Sequence, residues 1–61
     1  MKVRDVIREV EALGWKLDHW RGDHRVFRHP TLKGNVVVPG HLGDDIASGT
    51  LSNIRKQARG Q

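Results

Sequence analysis

The sequence predicts an α+β domain of order α-β-β-β-α, in which two helices cover one face of a three-stranded antiparallel sheet. Three features predict it: an apolar stripe with helical spacing near the start, alternating segments and a valine run in the middle, and a second amphipathic segment at the end. Two helices that each need an apolar surface, with only one sheet available, should pack on the same face. We expect the other sheet face to stay open to solvent.

The first helix is predicted from about Lys2 to Leu13. Its apolar residues recur at helical spacing on one side, and charged residues take the other side; the apolar stripe is Val3, Val6, Ile7, Val10 and Leu13. Gly14 comes next, and glycine readily adopts the left-handed conformation that ends many helices. The stripe is therefore expected to face the core, and the helix to end before Gly14.

Residues 15–29 are predicted to form a β-hairpin. WKLDHW and HRVFRH alternate in chemistry on either side of the turn segment RGD. A three-residue RGD loop would place Trp20 opposite His24 and Leu17 opposite Phe27. This register keeps Leu17 and Phe27 together on the buried face.

The third strand is the β-branched run at residues 36–38, which stops at Pro39-Gly40. A loop follows, and then a second helix for which Ser48-Gly49 supplies a cap. One face of that helix carries Leu51, Ile54 and Ala58. The basic residues near its end suit the helix dipole.

Length and composition limit the protein class. With 61 residues the chain forms one domain, residues 1–61, and because it lacks cysteine its core must come from packing alone. The first residues carry charges where a signal peptide would be apolar, and no apolar run is long enough to span a membrane. We therefore expect a cytoplasmic protein.

The charge balance favours an anionic partner. Eleven Lys and Arg against seven Asp and Glu give a net charge of +4, and the calculated pI is near 10.4. The excess is concentrated between Lys16 and Lys33, where three of the four histidines also lie. Such a segment suits nucleic acid or an acidic protein, although a basic surface can also serve solubility alone.

Strand alternation predicts which side chains occupy the open face. With Leu17 and Phe27 buried, the side chains that should point outward include Lys16, Asp18, Trp20, His24 and Arg28. Cations for phosphates, an indole on which a base can stack and an imidazole for proton transfer suit single-stranded RNA. In the alternative interpretation, Trp20 completes the core from a sheet edge and His24 is an ordinary surface histidine.

Several stretches together resemble the HicA toxins of bacterial type II toxin-antitoxin systems, which are small ribonucleases that cleave messenger RNA. The matching stretches are GW at 14–15, GDHRVFRHP at 22–30, VVVPGH at 36–41, DI at 45–46 and GTLSNIRKQA at 49–58. They cover nearly the whole chain in order. The resemblance implies a fold like the double-stranded-RNA-binding domain, with the element order already predicted.

The resemblance also implies a catalytic residue. The family's catalytic histidine lies in a motif of glycine, any residue and HR, and that position here is His24. This sequence departs from the family pattern at three positions: Asp23 replaces the usual Ser, Asp44 stands where Lys is frequent, and Arg55 stands where a more apolar residue is common. Asp23 can orient His24 or repel a phosphate, and Arg55 is expected to extend the basic rim.

RNA can be cleaved without metal when its 2′-hydroxyl attacks the neighbouring phosphorus, a reaction that needs a base, an acid and nearby cations. Histidine suits the proton transfers, so His24 is the catalytic candidate. The candidate RNA-binding residues are Lys16, Trp20, Arg25, Arg28 and His41. Arg25 has the parity of Phe27, so it either reaches around the edge or is structural; His41 either contacts substrate, as a second proton-transfer group or otherwise, or caps its turn.

We expect no metal or other cofactor. The histidine spacings place no two ligands one helical turn apart, and no Cys/His cluster exists. His19 and His29 share the parity of Phe27 and are expected at an edge or partly buried.

The expected partners are messenger RNA and an antitoxin of the HicB type, which would cover His24 and the basic face. Two alternatives remain at this point. A non-catalytic RNA-binding module would use the same face with His24 as a phosphate donor. An interaction protein would use its basic surface to dock an acidic partner.

Overall fold

The computed structural model describes residues 1–60 and has the predicted element order. The elements are α1 (Val3–Ala12), β1 (Lys16–Arg21), β2 (His24–Arg28), β3 (Val36–Val38) and α2 (Ser48–Ala58). The strands form one antiparallel sheet in the order β1-β2-β3. Within residues 1–60, no helix has the length and apolar character needed to cross a membrane.

The core lies between the two helices and one face of the sheet, as predicted. It consists of Val3, Val6, Val10, Trp15, Phe27, Val36, Val38, Ile46, Ile54 and Ala58. Two predicted core residues are wrong: Leu13 is 50% exposed and Leu17 is 46% exposed. Leu13 follows the last residue of α1, and Leu17 lies on edge strand β1, whereas both helices lie closest to β3.

Trp15 connects three parts of the fold. Its indole Nε1–H donates a buried hydrogen bond to the Ala58 carbonyl at the end of α2, at 2.9 Å. Its ring also meets that of His29 edge-on, with 5.2 Å between centroids. Because an unpaired carbonyl in the core would be costly, this bond fixes where α2 ends relative to the sheet.

His29 has a structural role, consistent with its predicted partly buried position. Its Nδ1 accepts backbone N–H groups from Thr31 and Leu32 at 3.1 Å, and its Nε2 donates to the Leu13 carbonyl at 3.1 Å. Gly14, at φ 97°, makes room for the ring, because a Cβ there would lie 2.7 Å from His29 Nε2. Both ring nitrogens of His29 are therefore used in holding the segments together.

The hairpin is correctly predicted, but its register differs from the prediction. The loop has two residues, Gly22 and Asp23, so that Arg21 rather than Trp20 lies opposite His24. A β-bulge at Asp18 adds one residue to β1 and restores the predicted pairing of Leu17 with Phe27. Gly22 has φ 62°, as the first position of a two-residue type II′ loop requires.

This register divides the strand residues between two faces. Paired residues share a face, so Trp20 and Arg25 lie on the helix side with Phe27. The opposite side, here called the outer face, carries Lys16, Asp18, His19, Arg21, His24, Val26, Arg28 and Val37. Val26 is nevertheless buried, with 1% of its surface exposed.

The loop between β3 and α2 is tied to the start of α1. The first backbone N–H groups of α1, from Val3 and Arg4, donate to the carbonyls of Asp44 and Leu42 at 2.9 and 3.2 Å. Helix N-termini have such unpaired donors, and here the loop satisfies them. The predicted cap of α2 is wrong: Ser48 is already helical, and Ala47 occupies the cap position with no side-chain bond.

Arg55 does not extend a basic rim as expected. Its guanidinium makes two hydrogen bonds to the carboxylate of Glu9, at 2.9 and 3.0 Å, and so joins α2 to α1. The hydrogen bond from Arg55 lowers the pKa of Glu9 below its usual value. The positive charge of Arg55 is therefore used within the fold, where it pairs with Glu9.

Trp15→Phe removes the donor to the Ala58 carbonyl while keeping an aromatic ring. We expect the free energy of unfolding to fall by about 1–3 kcal/mol, because a buried carbonyl loses its partner. Trp20→Phe is the matched control, and should cost less than about 1 kcal/mol because Trp20 is half exposed. Urea unfolding followed by circular dichroism measures both, and equal losses would contradict the role given to Trp15.

Candidate functional site

The outer face of the hairpin brings together three of the six predicted site residues: Lys16, His24 and Arg28. It lies on the side of the sheet away from both helices and displays cations and histidines from two neighbouring strands. Side chains on one face of paired strands are close neighbours, so this arrangement is held by backbone hydrogen bonds rather than by flexible loops.

His24 is the first residue of β2 and lies on the outer face, as predicted. Its side chain is 48% exposed, and its Nε2 lies 3.7 Å from Asp23 Oδ1. The residue opposite it on β1 is Arg21. An accessible imidazole thus has a cation directly across the strand pair and a carboxylate beside it.

Lys16 and Arg28 also occupy the outer face, as predicted, and they pair with each other at the other end of the hairpin. Arg28 Nε lies 3.6 Å from Asp18 Oδ2, with both side chains well exposed. Exposed ion pairs of this length are weak in water. Arg28 therefore stays available to an anion that competes with Asp18.

The predicted outward position of Trp20 is wrong. The two-residue loop shifts the pairing by one residue, which places Trp20 on the helix side beside Arg25. The guanidinium of Arg25 lies 4.5 Å above the centre of the indole ring. Arg25 also donates from Nη1 to the Gly40 carbonyl at 2.8 Å, so it joins the hairpin to the loop after β3.

His41 lies exposed in that loop, after Gly40. The turn is closed by Asp44, whose carboxylate accepts the His41 backbone N–H at 3.0 Å and whose own N–H donates to the His41 carbonyl at 3.0 Å. The main chain of His41 therefore closes the turn, and its ring is not needed for that purpose. The structure brings Arg25 close to this loop, but it does not place His41 on the outer face.

Sequence reasoning missed two residues of the outer face, His19 and Arg21, whereas Asp18 was expected there. The expected parity of His19 with Phe27 is wrong, because His19 pairs with Val26 on the opposite side of the sheet. Simple alternation cannot reveal a bulge, since one extra residue reverses the side of each residue beyond it. The sequence feature that could have indicated the shifted register is Gly22, because glycine suits the first position of a two-residue loop. It fits the three-residue loop equally well.

The outer face can bind an anion and transfer protons. Lys16, Arg21 and Arg28 supply three positive charges, and Asp18 and Asp23 supply two nearby negative charges. His19 and His24 add two imidazoles that are both accessible. Groups of these types are the ones that acid-base chemistry at a phosphate requires.

Comparison with known proteins assigns the chain to a family. Residues 3–59 match the family model described as HicA toxin of bacterial toxin-antitoxin. No curated protein matches the chain significantly. The family match spans all five secondary-structure elements described above.

Arg25→Gln tests whether Arg25 is a structural residue. We expect it to lower the free energy of unfolding by about 1–2 kcal/mol, because a charge-assisted hydrogen bond and the contact with Trp20 are lost. Arg21→Gln is the control on the opposite face and should change it by less than about 0.5 kcal/mol. Chemical denaturation of both variants gives the answer, and unchanged stability in Arg25→Gln would leave Arg25 without a structural role.

Proposed function

Because this chain belongs to the HicA family of toxins of bacterial toxin-antitoxin systems, we propose that it is a metal-independent endoribonuclease that cleaves messenger RNA. Membership of this family identifies the protein as a toxin. The reaction and the catalytic residue are proposed from the site together with the family resemblance, and the antitoxin partner from the resemblance alone.

The observation that carries the proposal is the position of His24. It is an accessible imidazole on the sheet face that the helices leave uncovered, and Arg21 lies directly across from it. An RNA strand can approach this face without any rearrangement of the core. General acid-base catalysis by a positioned histidine typically accelerates a reaction by about 10² to 10⁴.

The proposed reaction begins at the RNA 2′-hydroxyl. His24 takes the proton of this hydroxyl, and the oxygen attacks the adjacent phosphorus. The bond from phosphorus to the 5′-oxygen breaks, and that oxygen takes up a proton. The products are a 2′,3′-cyclic phosphate and a 5′-hydroxyl, and no metal is required.

The outer-face cations support this chemistry by holding phosphates. Lys16, Arg21 and Arg28 lie along two neighbouring strands and can contact successive phosphates of one strand. Positive charge near the reacting phosphorus also offsets the negative charge that develops there. Contacts of RNA with Trp20, Arg25 and His41 stay predictions, since these residues lie off the outer face.

His24→Ala should lower RNA cleavage by at least about 100-fold, because the proton acceptor is lost. RNA affinity should change little, since the cations remain. The assay uses a long messenger RNA with and without EDTA, and Lys56→Ala, on the exposed side of α2, is the control for purity and handling. EDTA should have no effect on the wild-type rate.

Other outcomes of this assay favour the alternatives. RNA binding without any cleavage by the folded wild type would favour a non-catalytic RNA-binding module. A failure to bind RNA at physiological salt would favour a domain that docks an acidic protein. Equal cleavage by His24→Ala and the wild type would remove His24 from the mechanism.

We also expect an antitoxin of the HicB type to neutralise the protein by covering the outer face. A HicB-type protein encoded beside this chain should then stop cleavage and protect His24 from modification by diethyl pyrocarbonate. Mass spectrometry of the free and bound chain measures this protection. A tight complex in which His24 reacts as fast as in the free chain would contradict it.

A further inference from the structure

The bulge at Asp18 places a second histidine on the same face as His24. We infer that His19 is the proton donor to the leaving 5′-oxygen, with Asp18 as its positioning residue. This inference rests on the proposed ribonuclease function and assigns the one proton transfer that His24 does not perform.

The strand register makes both histidines neighbours of Arg21, one along β1 and the other across from it on β2. His19 lies opposite Val26, and His24 lies two residues before Val26 on the same face of β2. Such diagonal neighbours have Cα atoms about 7–8 Å apart, within reach of aromatic side chains. A phosphate between the two rings would also lie against Arg21, which is two residues from His19 and directly opposite His24.

Asp18 fixes the orientation of the His19 ring. Its Oδ2 lies 2.7 Å from His19 Nδ1, the shortest histidine contact on the outer face. With Nδ1 engaged in this way, Nε2 is the nitrogen that can face a substrate. The His19 side chain is 41% exposed, so a ligand can reach it.

The two histidines differ in how closely a carboxylate approaches. Asp18 is in hydrogen-bond contact with His19, whereas Asp23 is 3.7 Å from His24. The contact with Asp18 leaves Nε2 of His19 for a substrate, and since the proposed function already makes His24 the base, we assign His19 as the acid. In the reaction His24 gains the 2′-hydroxyl proton and His19 Nε2 gives one to the 5′-oxygen as the P–O5′ bond breaks; water then restores both.

The other two histidines are poorer candidates. His29 uses both ring nitrogens in hydrogen bonds to the main chain. His41 lies in the loop after β3 rather than on the outer face. Within residues 1–60, His19 is thus the histidine that shares a sheet face with His24.

The test separates the acid from the base by changing the leaving group. The cleavage site is mapped first, and an RNA oligonucleotide spanning it is made in two forms, one natural and one with sulfur in place of the bridging 5′-oxygen. A sulfur leaving group departs without being protonated, so a missing acid no longer matters.

His19→Gln should slow cleavage of the natural oligonucleotide by about 10² to 10⁴. On the sulfur form it should cleave within about tenfold of the wild-type rate, since the step that needs His19 is bypassed. Asp18→Asn should slow cleavage of the natural oligonucleotide by less than His19→Gln does. On the sulfur form its rate should again be close to that of the wild type. His24→Ala should be slow on both forms, because the base is still required.

Two results for His19→Gln would overturn the assignment. A wild-type rate on the natural oligonucleotide would show that His19 takes no part. An equal loss on both forms, in a variant whose urea midpoint matches that of the wild type, would mean that His19 serves binding or another step. A wild type that cuts no RNA would instead refute the proposed function, and the assignment with it.

Discussion

The structure depends on one constraint: the two short helices have enough apolar surface to cover only one face of the sheet. Val3, Val6 and Val10 of α1 and Ile54 and Ala58 of α2 pack against the same side. The buried bond from Trp15 to the Ala58 carbonyl fixes the end of α2 against the start of β1. Since the helices occupy that side, the opposite side of the hairpin is free to carry charged and titratable groups.

The bulge in β1 decides which groups those are. A regular ladder with a three-residue loop would have put Trp20 on the outer face. The extra residue at Asp18 instead turns Trp20 toward Arg25 and turns His19 and Arg21 outward. Bulges frequently re-aim side chains near functional sites, and here a single residue converts a face with one histidine into a face with two.

The outer face carries charges of both signs, with the positive ones in excess. Asp18 contacts both His19 and Arg28, and Asp23 lies beside His24. The pairs of Asp18 with Arg28 and of Asp23 with His24 are exposed and, at 3.6 and 3.7 Å, worth little in water, so an incoming phosphate can displace them at small cost. Their larger effect is to orient the side chains in the free protein. The pair of Glu9 and Arg55, in contrast, has two short hydrogen bonds and joins the helices on the other side of the molecule.

The sequence by itself determined the element order, the strand limits to within a residue, most of the core and the candidate histidine. Helical and alternating apolar spacing depends on local geometry, and His24 lies in a short contiguous motif. Only the tertiary structure decided the sides of Trp20 and His19, the exposure of Leu13 and Leu17, and the structural use of Arg25 and Arg55. The sides of Trp20 and His19 depend on where a bulge falls, and the roles of Arg25 and Arg55 depend on which distant group a long side chain reaches. The exposure of Leu13 and Leu17 depends on how far the helices cover the sheet. None of these leaves a periodic trace in the sequence.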